Sequence, residues 1–179
     1  MTVVALTGTP GTGKTSIARQ LGLEGERVLE ISELIRTLQV PGTYSEASES
    51  IEIDVEQLGG KIDRHMATLW DETVFLSGHL AHFATCQIGV VLRCEPHVLH
   101  SRLSARGWSR PKVLENVRAE VLDAILIEAS ERIKDVFEVE TTSIDAKKAA
   151  ALVQRAVRGK PDSMRPGSID WTEEIDEWF

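Results

Sequence analysis

The sequence contains little cysteine, few aromatic residues and no long hydrophobic run. Only 2 of its 179 residues are cysteines. They form no Cys-x-x-Cys pair, which favours a reducing compartment, and we expect a cytoplasmic protein. No apolar run approaches the ~20 residues that span a bilayer, so no membrane association is expected. Glycine, proline and lysine interrupt the N-terminus at once, which is not typical of a signal peptide.

Acidic residues outnumber basic ones, 28 against 20, and the formal net charge is −8. This excess argues against a protein that coats nucleic acid, and no sequence-specific DNA binding is expected. A basic protein partner and a local basic site for nucleotide phosphates both remain compatible with it. Positive charge is concentrated in residues 102–118, whereas residues 170–179 carry five acids and no base.

Residues 8–15 read Gly-Thr-Pro-Gly-Thr-Gly-Lys-Thr, a complete GxxxxGK[ST] phosphate loop. A short apolar strand precedes the loop and a helical pattern follows it, which is the order that the motif requires. Glycines let backbone N–H groups close around phosphate oxygens, and the helix N-terminus adds partial positive charge. Lys14 can then reach the β- and γ-phosphates, and the Thr15 hydroxyl can bind Mg²⁺. The sequence therefore predicts a protein that binds a nucleoside triphosphate with Mg²⁺.

Strand-like and helical patterns alternate along the chain. The strand-like runs are 3–7, 27–31, 73–77, 88–93 and 136–139, and the helical patterns are 14–23, 32–38, 55–69, 96–106, 112–133 and 145–158. Alternation of this kind predicts a three-layer α/β fold of the P-loop NTPase type. Its sheet would have five mostly parallel strands, with helices on both faces.

The last 21 residues differ in character from the rest. Residues 159–168 are rich in turn-forming residues and are interpreted as a linker after a domain formed by residues 1–158. In residues 169–179, Trp171, Ile175 and Trp178 are spaced four and three apart, which predicts a short helix with one aromatic face. Docking of this helix onto the domain is the favoured interpretation, and binding of a partner is the alternative.

Three classes of protein use such a phosphate loop: switch GTPases, mechanical ATPases and small-molecule kinases. The guanine-reading Asn/Thr-Lys-x-Asp motif of GTPases is absent, and mechanical ATPases need a longer chain. Small kinases close an arginine-bearing lid over the transferring phosphoryl group. Arg102 and Arg106 lie four residues apart and next to Gly107, as expected for such a lid and its hinge. A solvated basic helix end is the alternative.

Four segments together resemble the adenylate kinase isoenzyme 6 family. They are the loop Gly8–Thr15, then Val91-Leu92-Arg93, Arg102-Leu103-x-x-Arg106-Gly107-Trp108, and Glu115-Asn116-Val117-x-x-Glu120. The resemblance spans most of residues 1–158, and the run from Asp170 to Ile175 resembles archaeal members. The phosphate loop is common to many families, whereas the short Arg-Gly-aromatic lid before a Glu-Asn helix is more specific.

This resemblance implies reversible phosphoryl transfer from Mg-ATP to AMP, and possibly to other nucleoside monophosphates. It also implies an ATPase step in late maturation of the small ribosomal subunit, in rRNA processing, through transient contact with a small-subunit ribosomal protein. ATP would be held by the loop and by the closing lid arginine, that is by Gly11, Gly13, Lys14, Thr15, Ser16 and Arg106. The monophosphate-binding segment would be about 31–54, and the lid about 105–115.

Two further residues are candidates for the site. Arg36, on a short helix, is suited to a bidentate contact with the acceptor phosphate, and an ordinary surface arginine is the alternative. His79 is expected beside the acceptor phosphate or an attacking water, and a core histidine is the alternative. His79, His82 and Cys86 do not make a structural metal site, because zinc needs four converging ligands, so no structural metal is expected. Residues 39–50 are polar and turn-rich and are expected to be mobile.

The sequence departs from the family at Ser77, where the resemblance leads one to expect an acidic residue near Mg²⁺. Asp54 or Asp71 is a possible substitute. Two alternatives to a nucleotide kinase therefore stay open. One is an ATP-gated ribosome assembly factor with little kinase turnover, and the other is a kinase for a small metabolite.

Overall fold

The computed structural model describes residues 1–46 and 49–179 and has a five-stranded parallel sheet at its centre. Its strands are β1 (Thr2–Gly8), β2 (Arg27–Glu30), β5 (Thr73–Ser77), β6 (Ile88–Arg93) and β7 (Asp135–Glu140). The spatial order is β2-β5-β1-β6-β7, and all four pairings are parallel. Parallel neighbours need crossover connections, which the helices supply. The predicted three-layer α/β fold is thus confirmed.

Helices cover both faces of this sheet. They are α1 (Lys14–Leu23), α2 (Ile31–Thr37), α3 (Val55–Met66), α4 (Pro96–Ser104), α5 (Arg110–Val121), α6 (Ala124–Arg132), α7 (Ala146–Gly159) and α8 (Ile175–Trp178). Side chains alternate between the faces of a strand, and β1 shows this alternation. Val4 and Leu6 pack with α1 and α7, whereas Val3 and Ala5 pack with α3 and α6. The phosphate loop follows β1, the central strand, and is therefore supported from both faces.

The single helix predicted over 112–133 is wrong, because the chain breaks between α5 and α6. Asp123 adopts the left-handed conformation with φ of 56°. Its carboxylate bonds to the buried guanidinium of Arg93. This ion pair holds the break, which helical spacing of apolar residues alone does not reveal.

Residues 39–50 contain structure that the sequence analysis did not predict. β3 (Gly42–Ser45) pairs antiparallel with β4 (Ser50–Ile53). The strands are short and mostly polar, so they lack the apolar alternation by which a strand is recognised. Residues 47 and 48, part of the predicted monophosphate-binding segment and of the predicted mobile stretch, lie outside the described residues.

The chain after α7 packs onto the rest of the protein. Ser168 donates from its amide to Glu138 at 3.0 Å. Ile175 and Trp178 of α8 pack against the cluster that α4 and α5 form. Within residues 1–46 and 49–179, no helix combines the length and the apolar character that crossing a membrane requires. The division into a domain, a linker and a docked tail stays a prediction.

Candidate active site

Two glycines give the phosphate loop its shape. Gly11 has φ of 96°, and a Cβ atom built on it would lie 2.7 Å from Leu99 Cδ1. Any larger residue would therefore push the loop away from α4. Gly13 has φ of 98° and precedes the first turn of α1. The left-handed backbone there turns the following amides toward the inside of the loop.

The N-terminus of α1 and the ammonium group of Lys14 form the positive side of the loop. Amides in the first turn of a helix have no intrahelical partner, so those of Lys14, Thr15 and Ser16 are available to an anion. Lys14 Nζ donates to the carbonyls of Gly8 at 2.6 Å and Thr9 at 2.9 Å. Burial lowers the pKa of Lys14 to about 7, although the Glu120 carboxylate opposes the shift. A bound polyphosphate would raise this pKa again.

The lid residues lie over the loop. The central cavity, of about 310 Å³, is lined by His79, Arg106 and Trp108 and by six residues of the loop segment: Pro10, Gly11, Gly13, Lys14, Thr15 and Ser16. Arg106 is exposed and follows the end of α4, and its charge acts on Lys14. The structure therefore brings together Lys14, Arg106 and His79 around the central cavity. Trp108 also lines this cavity, a role that was not predicted from the sequence.

A second cavity, of about 480 Å³, adjoins the first and shares Gly11, Gly13, Ser16 and Arg106 with it. Arg102 forms part of its wall, held by bonds from Nη2 to the carbonyls of Thr141 and Thr142, both at 2.9 Å. A guanidinium fixed in this way presents a flat face to a planar ligand. Residues 141–146 complete the wall after the carboxyl end of β7, where ligands bind in parallel sheets.

A third cavity, of about 340 Å³, adjoins the central cavity on its other side and shares Pro10, His79 and Trp108 with it. On this side the lid contacts Glu49, the residue before β4. Ser109 Oγ donates to Glu49 Oε1 at 2.9 Å, and Lys112 Nζ donates to the Glu49 carbonyl at 2.6 Å. Arg36 is exposed on α2 and lines none of these three cavities, so the structure does not bring it to the other candidates.

Oxygen groups suited to Mg²⁺ lie near the loop. Thr15 stands at the second position of α1. The Ser77 hydroxyl is buried and makes no hydrogen bond of good geometry to any described residue. It lies beside the Glu30 carboxylate, which the sequence analysis missed. Mg²⁺ prefers hard oxygen donors, and three are present here: the hydroxyls of Thr15 and Ser77 and the carboxylate of Glu30. The residues present therefore fit a Mg²⁺-nucleotide.

A buried cluster of charged side chains is hydrogen-bonded to the phosphate loop. Arg93 is 1% exposed, and Nε donates to Glu120 Oε1 at 2.8 Å while Nη1 donates to Glu138 Oε1 at 2.5 Å. The other oxygen of Glu120 accepts from the Thr9 hydroxyl of the phosphate loop. Glu120 therefore connects the loop to the centre of the protein. Glu120 lies on an amphipathic helix, where nothing in the sequence indicates its burial, whereas Glu138 lies within the strand-like run 136–139.

His79, His82 and Cys86 do not converge. His79 faces the cavities, where desolvation and then the Lys14 ammonium lower its pKa. His82 is fully buried, with Nδ1 3.1 Å from the Thr7 hydroxyl and Nε2 3.1 Å from Glu128 Oε2. The Cys86 thiol donates to the Ala81 carbonyl. Among the described residues, Glu95, His97 and Glu174 are the one group of three ligand-type side chains, and Glu95 already caps α4.

His82 predicts an acid-dependent loss of stability. Burial, with a further effect of Arg132, lowers its pKa from 6.5 to about 4. Between these pH values the unfolded chain binds a proton that the folded protein does not, so stability falls as pH falls. At 1.36 kcal/mol per unit, we expect His82 to account for roughly 3 kcal/mol lost between pH 6.5 and 4. Urea unfolding across this range measures the loss.

The matched variants for this measurement are His82→Gln and His65→Gln. Because His65 is only partly buried, its replacement should leave the pH dependence unchanged. His82→Gln should make it less steep, and the part that remains comes from His79, whose pKa is also lowered to about 4. An equally steep pH dependence in His82→Gln would show that His82 is not the group responsible.

The chain is similar in sequence to a known family and to named proteins. The family model described as "AAA domain" matches residues 4–123. A protein of Archaeoglobus fulgidus named "Putative adenylate kinase" is 38% identical over 178 residues, covering 98% of this chain and 94% of its own length. A protein of the same name from Methanocaldococcus jannaschii is 36% identical over 177 residues, covering 98% and 96%.

Solved structures show the same fold at low identity. Shikimate kinase from Acinetobacter baumannii matches with a TM-score of 0.60 at 14% identity, covering 90% of this chain and 96% of its own. Deoxyadenosine kinase from M. mycoides matches with a TM-score of 0.57 at 14% identity, covering 88% and 99%. These likenesses concern the fold alone.

Fold, phosphate loop and relatives together define a P-loop kinase. The chain belongs to the AAA-domain family and to the group of archaeal proteins named "Putative adenylate kinase".

Proposed function

We propose that the protein is a nucleoside monophosphate kinase of the isoenzyme 6 type, which transfers the γ-phosphoryl group of Mg-ATP reversibly to AMP. One observation carries the proposal. The central cavity lies between the other two and shares lining residues with each. Two nucleotides with their phosphates end to end fit three connected cavities in this order. In-line transfer needs this arrangement.

The residues around the central cavity have roles that follow from their positions. Lys14 and Arg106 would place positive charge on both sides of the transferring group, as phosphoryl transfer requires. Gly11 and Gly13 would admit the phosphates, and the amides of Thr15 and Ser16 would hold them. The adenine base of ATP would lie against the guanidinium group of Arg102. Mg²⁺, when bound through the Thr15 hydroxyl, neutralises charge on the β- and γ-phosphate oxygens.

His79 and Trp108 would exclude water from the central cavity, which both of them line. Exclusion of water favours transfer to the acceptor over hydrolysis. His79 is largely neutral at pH 7, since its pKa is lowered, so it would orient the acceptor phosphate and would not add a charge. Arg36, exposed on α2, is proposed to contact the acceptor only if that helix moves toward the cleft.

A second candidate function is ATP hydrolysis during maturation of the small ribosomal subunit, with a ribosomal protein as partner. The acidic tail favours it. Ile175 and Trp178 pack inward, which leaves Glu173, Asp176 and Glu177 exposed. An exposed acidic surface attracts a basic protein.

A single coupled assay separates the two functions and the small-metabolite alternative. Purified protein is mixed with Mg-ATP and with AMP, CMP, a deoxynucleoside, shikimate or no acceptor, and ADP formation is followed. We expect formation of ADP that depends on AMP. Hydrolysis without acceptor that a basic ribosomal protein stimulates would favour the assembly function. Turnover only with a hydroxyl acceptor would contradict the nucleotide kinase.

A further inference from the structure

Glu30 and Ser77 lie side by side at the edge of the sheet where the phosphate loop begins. They end β2 and β5, and they are aligned in the parallel register. Aligned residues of neighbouring strands point to the same face of a sheet. Ser77 is aligned in turn with Leu6, which packs with α1 and α7. The Glu30 and Ser77 side chains therefore share the face that carries α1 and Lys14.

Charge interactions agree with this placement. The Glu30 carboxylate acts to raise the pKa of Lys14, and the Lys14 ammonium acts to lower the pKa of Glu30. Burial nevertheless raises the pKa of Glu30 overall. The Glu30 carboxylate is therefore partly buried near the phosphate-binding lysine and beside the buried Ser77 hydroxyl.

The two substitutes suggested from the sequence do not suit the position. Asp54 accepts from the Gln57 amide at 2.9 Å and so caps α3. Asp71 precedes β5 and lies at the amino end of that strand. The phosphate loop follows the carboxyl end of β1, which is the opposite edge of a parallel sheet. Of the three carboxylates, Glu30 is therefore the one at the carboxyl edge of the sheet, and its charge acts on Lys14.

We infer that Glu30 supplies the carboxylate of the Mg²⁺-nucleotide site, as a ligand of the ion or of its coordinated water, in place of the serine at position 77. Phosphate-loop enzymes pair the loop hydroxyl with a carboxylate from a nearby strand end. Here that carboxylate comes from one strand further out, on the same face. This inference rests on the proposed function, because it requires a nucleotide in the loop.

Titration calorimetry with the non-hydrolysable analogue AMP-PNP tests the assignment without measuring turnover. Each variant is titrated in excess Mg²⁺ and again in EDTA, and the ratio of the two affinities gives the Mg²⁺ enhancement. We expect Glu30→Gln to reduce this enhancement about 10–100-fold, as loss of a metal-supporting carboxylate does elsewhere. Its affinity in EDTA should be unchanged or higher, since a negative charge beside the phosphates is removed.

Two further variants complete the experiment. Glu72→Gln, at an exposed glutamate just before β5 and therefore at the opposite edge of the sheet, is the matched control and should keep the wild-type enhancement. The double variant Glu30→Gln/Ser77→Asp restores a carboxylate on the neighbouring strand and should regain the enhancement. Thermal melting confirms that each variant is folded.

The outcomes separate this inference from the proposed function. Wild-type enhancement in folded Glu30→Gln overturns the inference. The same result with loss of turnover also overturns it, and would instead make Glu30 a base toward the acceptor. Failure of the wild-type protein to bind AMP-PNP in either buffer would overturn the proposed function itself.

Discussion

Replacement of Lys14 by alanine is expected to lower kcat/KM for ADP formation about 100–1,000-fold, the usual effect of losing one group that stabilises transition-state charge. Lys14 is the cation at the base of the central cavity, where its ammonium group donates to the loop carbonyls of Gly8 and Thr9. A nucleotide would replace these carbonyls as the partner of the ammonium group. Initial rates at saturating and limiting Mg-ATP measure the effect.

The fold should survive this change. Burial lowers the pKa of Lys14, which means that the charged ammonium group reduces the free energy of unfolding. Its removal should therefore not reduce the melting temperature. Lys147→Ala, at an exposed lysine of α7, is the control and should match the wild type in both rate and melting. Turnover of Lys14→Ala within a factor of three of the wild type would contradict the mechanism.

Replacement of Arg93 by methionine is expected to have the largest effect on stability. Arg93 is the one cation of a buried cluster with three carboxylates, those of Glu120, Asp123 and Glu138. Removing one partner of a buried ion pair leaves uncompensated charge and costs about 3–5 kcal/mol. Glu120 and Glu138 are each 2% exposed, so water cannot take the place of the guanidinium. Urea unfolding should show this loss in the free energy of unfolding.

The structure offers two controls for the Arg93 variant. Arg155→Met, at an exposed arginine of α7, should change the free energy of unfolding by less than about 0.5 kcal/mol. Adding Glu120→Gln and Glu138→Gln to Arg93→Met removes the unpaired charges and should recover part of the loss. A loss below about 1 kcal/mol in Arg93→Met would show that the cluster does not support the fold as described.

The sequence predicted the parts of this protein that depend on local pattern. The phosphate loop needs glycine at fixed positions, and the continuous apolar runs of the central strands are typical of a parallel sheet that is buried on both faces. The five strands and the start of α1 at Lys14 were predicted on these grounds, and the structure confirms them. The lid was predicted from the spacing of Arg102 and Arg106 before Gly107, and its role in binding stays a prediction.

The remaining features depend on contacts between distant segments. Glu120 is buried because Thr9 and Arg93 bond to it, and they are 111 and 27 residues away along the chain. Asp123 breaks the helix because it also meets Arg93. Glu30 lies beside Ser77 only because β2 and β5 pair, although 47 positions separate them. Helical and strand periodicity cannot reveal such pairings. In the sequence alone, Glu30, Glu120 and Asp123 resemble charged residues on the surface.

The central claim is that the three connected cavities hold two nucleotides with their phosphates meeting at Lys14. A crystal structure with Mg²⁺, AMP-PNP and AMP tests it most directly. The β- and γ-phosphates should lie within hydrogen-bond distance of Lys14 Nζ and the first amides of α1. One adenine should lie against Arg102, and the AMP phosphate should approach His79. Density for the nucleotide outside the loop, or AMP bound away from the cavity between His79 and Lys112, would contradict the account.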